Sequence, residues 1–118
     1  MADEDIKKAF QDLQFKTNET RLRINQGEQN KRALIQKQRV SNVTLKNLTP
    51  IDETHPVYRS VGRMFILTDK PSELVRHQQE SKDFGEKIVA IEKQREYLEK
   101  SLLEAETNLR ELIQSKRS

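Results

Sequence analysis

The sequence predicts a mainly α-helical chain, a long antiparallel two-helix coiled coil whose arms are joined through one β-hairpin. Three observations predict it. Two charged arms carry apolar residues thinned to alternating steps of four and three. Between them, Val57 to Leu67 turns β-branched, aromatic and nearly uncharged. The apolar positions of one arm also match those of the other in reverse order. Composition agrees: 118 residues make one domain at most, and 35% charged residues with 5% aromatics are too polar for an ordinary globular core. Disorder shares that composition, but the regular spacing argues against it.

The first helix is expected over residues 1–40, a stretch without proline and with Gly27 as its one glycine. Asp3, Glu4 and Asp5 stand where the helix dipole favours negative charge. Its seam reads Ile6, Phe10, Leu13, Thr17, Thr20, Ile24, Gly27, Lys31, Leu34 and Gln38, apolar at both ends and weak in the middle. Phe15, Leu22 and Ile35 sit just off this line, where they widen the stripe or face another surface.

The second helix, over 70–117, is cleaner. The same spacing picks out Leu74, His77, Ser81, Phe84, Ile88, Ile91, Arg95, Leu98, Leu102, Ala105, Leu109 and Leu112, the period of a left-handed coiled coil. Pro71 suits a first turn, with Asp69 or Thr68 as cap. Gly85 is a weak point, costing up to about 1 kcal/mol against alanine. In an antiparallel pair the residue numbers of facing positions add to a constant. Ile6 with Leu112, Phe10 with Leu109, Leu13 with Ala105, Gly27 with Ile91 and Leu34 with Phe84 all reach the same total within one.

Residues 41–56 are expected to form a connector: Thr44 caps a one-turn helix through Leu48, and Pro50 and Pro56 exclude a continuous helix. The hairpin occupies 57–68. Gly62-Arg63 fits a type II′ turn, which sets Val61 opposite Met64, Arg59 opposite Ile66 and Tyr58 opposite Leu67. Val57, Val61, Met64 and Ile66 then share one face, and Tyr58, Phe65 and Leu67 the other. A lone ribbon with two apolar faces and free edges is marginal in water, so it is expected to pair with hairpins of other subunits. The alternative is a ribbon folded back on its own helices, with one face covered and the other wet.

Catalytic and cofactor readings fare poorly. With no cysteine and only His55 and His77, no metal-ligand spacing is available, so no metal is expected. No glycine-rich phosphate loop occurs, and neither an enzyme activity nor a cofactor is expected. The net charge is +3, and the basic residues of the first arm are spread around the helix, so nucleic-acid binding is an alternative without a stripe to support it. No apolar run reaches the length of a membrane span, and the amino terminus lacks the apolar core of a secretory signal. A cytoplasmic location is the expectation.

Four stretches then resemble a known family. They are Lys7-Lys8-Ala9-Phe10, Asp52-Glu53-Thr54, Val61-Gly62-Arg63-Met64-Phe65-Ile66-Leu67 and Glu96-Tyr97-Leu98-Glu99-Lys100-Ser101. Together they make the chain similar to a beta-type prefoldin subunit along essentially its whole length. The resemblance implies a hetero-hexamer of two alpha-type and four beta-type subunits whose hairpins join into β-barrels. It implies a co-chaperone that captures unfolded actin- and tubulin-class clients and passes them to the cytosolic group II chaperonin without ATP. Carried onto this chain, Val57, Tyr58, Val61, Gly62, Met64, Phe65, Ile66 and Leu67 become the assembly element. The client-binding tip becomes Ile6, Phe10, Leu13, Phe15, Leu109, Leu112 and Ile113. A passive tether, with arms that hold no client, is the other reading.

Overall fold

The computed structural model describes residues 2–117, in the order α1 (Ala2–Leu48), β1 (Val57–Val61), β2 (Met64–Thr68) and α2 (Lys70–Arg117). The first helix is longer than expected. Residues 41–48, assigned above to the connector, continue α1, and Thr44 caps nothing new: its Oγ1 donates to the Val40 carbonyl inside the helix at 2.8 Å. The reason is burial. The four-three spacing runs on through Ser41, Leu45 and Leu48, of which Ser41 and Leu48 are buried and Leu45 half-buried. Pro50 then forbids another turn, and Thr49 closes the end by donating its N–H and its Oγ1 to the Leu45 carbonyl, at 3.1 and 2.7 Å. The connector is therefore residues 49–56.

β1 and β2 pair antiparallel in the expected register, Tyr58 with Leu67, Arg59 with Ile66 and Val61 with Met64. Gly62 has φ of 62°, and no described non-glycine residue has a positive φ. A positive φ at the first central position alone is the signature of a type II′ turn. Of the two candidate caps for α2, Asp69 serves: its carboxylate accepts the Ser72 N–H at 2.8 Å and the Ser72 hydroxyl at 3.0 Å. Those two hydrogen bonds hold its carboxyl below the usual range.

The chain divides into two units, one of Lys31–Val89 and one of the residues up to Asn30 with those from Ala90 onward. In the Lys31–Val89 unit the end of α1 meets the start of α2 through a partly polar seam. The Gln38 amide donates to the Ser81 carbonyl at 3.0 Å, and the Ser81 hydroxyl donates to the Asn42 side chain at 2.7 Å. Gly85 has its explanation here: a Cβ at that position would lie 3.1 Å from the Gln38 amide nitrogen, so the glycine leaves room for that side chain.

In the other unit Gly27 faces Ile91 as the reverse-order match requires, with space for a Cβ 3.5 Å from the isoleucine methyl. Arg95, a charge on the seam, donates to Glu28 across the helices at 3.0 Å and to Glu92 on its own helix at 2.9 Å. Every α2 seam position from Leu74 to Leu112 is buried or half-buried. One α1 position is corrected. Ala9, not Phe10, joins Leu13, Ala105 and Leu109 along the groove between the helices, and Phe10 is 55% exposed. Both Ile6-Ala9-Leu13 and Ile6-Phe10-Leu13 are legal heptad steps, and the small alanine lets the helices stay close where phenylalanine would push them apart.

Candidate assembly and client surfaces

The hairpin concentrates the exposed apolar surface of the Lys31–Val89 unit. Val61, Met64 and Ile66 of one face are exposed, as are Tyr58, Phe65 and Leu67 of the other, with Phe65 at 73%. The fold-back alternative is only partly realised: Val57, Arg59 and Thr68 are half-buried, and the rest of both faces is open to solvent. Exposed apolar surface on a ribbon with two free edges is the arrangement expected of a surface awaiting a partner.

What anchors the ribbon escaped the sequence reading. Glu73, in the first turn of α2, has a side chain only 4% exposed. Its Oε1 accepts both Nε and Nη2 of Arg59, at 3.0 and 2.8 Å, and its Oε2 accepts both Nε and Nη2 of Arg76, at 3.0 and 2.8 Å. Arg76 also donates to Glu80 at 2.7 Å, and the His77 Nδ1 lies 3.2 Å from the other Glu80 oxygen. Ser41 of α1 donates to that same Glu80 oxygen at 3.3 Å, so one polar network joins β1, α2 and α1. The signal available in the sequence was Arg59 itself, a single cation within an apolar strand; its partner lies fourteen residues on, with the hairpin turn and the helix start between them.

Burial pushes the Glu73 carboxyl up, but the donors from Arg76 and Arg59 outweigh it and hold the group below its ordinary value of 4.5. A carboxyl depressed in the folded state contributes fully above its unfolded pKa and loses that contribution as pH falls through the folded one. The melting-temperature gap between wild type and Glu73→Gln should therefore stay constant from neutral pH down to 4.5 and close only in stronger acid. A gap that closes above 4.5 contradicts the assignment.

At the chain-terminal end, the other candidate region, the residues separate by burial. Leu109 is buried, Ile6, Leu13, Leu112 and Ile113 are half-buried, and Phe10 and Phe15 project into solvent, Phe15 at 71%. Ala9, Leu13, Ala105, Leu109 and Leu112 line an open groove of about 310 Å³ whose rim carries Asp12, Lys16 and Asn108. Leu22, like Phe15, lies off the seam and is exposed, whereas Ile35 is half-buried. Among the described residues no cluster of three or more His, Asp or Glu is placed to hold a metal, and no helix is long and apolar enough to cross a membrane.

Two helices packed antiparallel by heptads within each unit, and joined through a solvent-exposed apolar β-hairpin, define a hairpin-linked coiled-coil subunit. Comparison with known proteins gives that class a family. The profile of the prefoldin subunit family matches residues 11–116. A probable prefoldin subunit 1 from Caenorhabditis elegans is 68% identical over 117 residues, covering 99% of this chain and 100% of the relative. Prefoldin subunit 1 from Homo sapiens is 34% identical, covering 98% and 95%. Among solved structures, the prefoldin beta subunit from Thermococcus strain KS-1 superposes with a TM-score of 0.70 at 16% identity, over 91% of this chain and 90% of that one. The chain belongs to the prefoldin family. That family is one of chaperones.

Proposed function

We propose that this chain is a beta-type subunit of a hetero-hexameric, ATP-independent co-chaperone of the cytoplasm. Its hairpin joins those of other alpha- and beta-type subunits in β-barrels, and its chain-terminal end holds unfolded clients of the actin and tubulin class until a group II chaperonin receives them. The observation that carries the reading is the hairpin, whose Tyr58, Phe65 and Leu67 on one face and Met64 and Ile66 on the other are all exposed in the isolated chain. Leaving so many large apolar side chains in water is unfavourable by about 25 cal/mol for each Å², and assembly removes that cost.

Client holding draws support from Phe10 and Phe15, which stand in solvent on the helix whose Leu13 lines an apolar groove with Leu109 and Leu112. Ile6 and Ile113, half-buried in the same unit, extend that surface when the last turns fray. Weak contacts repeated across several subunits bind by effective concentration and release without a nucleotide. The test is purification of the tagged chain from cells, native mass spectrometry of what accompanies it, and light scattering of a diluted unfolded client with no ATP present. A complex of prefoldin-type subunits that suppresses scattering is expected; a free monomer, or a complex that leaves client aggregation unchanged, overturns the reading.

A further inference from the structure

β2 passes into α2 with only Asp69 between them, and β1 is attached to β2 by the ladder and the turn. Rotation about that one-residue joint would swing the whole ribbon. Arg59 spans the joint. From the middle of β1 its guanidinium sets two N–H groups on one oxygen of Glu73, whose other oxygen is held by Arg76. Glu73 is thus fixed from its own helix and nearly sealed from water, whereas Arg59 is the member that comes from the ribbon and keeps 39% of its side chain exposed.

The direction of this pull matters. Register places Arg59 on the face of Val61, Met64 and Ile66, so the ion pair draws that face toward α2. Both faces keep exposed apolar side chains, Tyr58, Phe65 and Leu67 on the far one and Met64 and Ile66 on the near one, so what the pair fixes is the angle at which they are held. We propose that Arg59 and Glu73 are a positioning pair that sets the tilt of the β-hairpin on α2, and with it the direction in which its apolar faces are offered to neighbouring subunits. This rests on the reading that the hairpin joins subunits.

The forked contact constrains angle as well as distance, which a lysine ammonium on a flexible stem does not. The carboxylate, buried and gripped by Arg76, cannot follow a ribbon that drifts. A depressed Glu73 carboxyl is the electrostatic trace of that grip.

The test uses the complex formed with co-expressed partner subunits, diluted in steps and read by native mass spectrometry, with the far-UV helicity of each purified variant as the second readout. Arg59→Met should raise the concentration at which the complex dissociates by about tenfold while leaving helicity unchanged, and Arg59→Lys should fall between it and wild type. Phe65→Glu serves as the control for the reading beneath. If Phe65→Glu dissociates the complex while Arg59→Met assembles like wild type, the positioning pair is overturned and the hairpin reading stands. If Arg59→Lys assembles like wild type, or Arg59→Met loses helicity, the geometric role is overturned in favour of charge or of simple stability. If Phe65→Glu itself assembles normally, the hairpin reading falls first.

Discussion

Phe65→Glu is expected to abolish assembly while leaving both helices and their melting behaviour intact. The two halves of that expectation have different causes. In the isolated chain Phe65 is 73% exposed, so a glutamate there sits in water, and such surface substitutions shift stability by only about 0.5 kcal/mol. In the proposed assembly the same position would face apolar surface, where an unpaired carboxylate deprived of water costs several times more, enough to weaken association by about a hundredfold or beyond. Arg63→Gln, in the turn beyond the strands, is the matched control, since it lowers the charge by the same one unit without entering either face. Native mass spectrometry and far-UV circular dichroism on the same samples decide it. A Phe65→Glu complex as stable as wild type would remove the hairpin from the interface.

The second large effect concerns client holding. Phe10→Ser with Phe15→Ser should abolish suppression of client aggregation and leave both the melting temperature and subunit assembly unchanged. Exposure is again the ground: at 55% and 71% these rings contribute little to packing, so their loss removes contact surface without opening a cavity. Leu109→Ala provides the contrast. That side chain is buried, and truncating it should cost about 2 kcal/mol or more and lower the melting temperature. Light scattering of an unfolded client separates the two variants. Unimpaired holding by the double phenylalanine variant would remove Phe10 and Phe15 from the client surface.

The sequence reading reached furthest where periodicity or turn chemistry decides. The α2 seam, the hairpin register and the II′ turn at Gly62 all follow from local rules, and the structure repeats them residue for residue. At residues 41–48 the sequence offers Thr44 as the cap of a separate one-turn helix, whereas the four-three rhythm continues to Leu48 and the structure follows the rhythm. Spacing alone admits Phe10 or Ala9 to the seam, and it is Ala9 that lines the groove. Gly85 read as a flaw until Gln38 was found beside it.

By itself, then, the order of residues determined the period of the helices, the strand register and the apolar character of the ribbon, since each depends on neighbours within a few positions. Only the tertiary structure decided which of two adjacent side chains enters the groove, and that Arg59 finds Glu73. These are choices between residues far apart along the chain, made by packing volume and by the low tolerance of buried charge for an unmatched partner, and no local pattern encodes them.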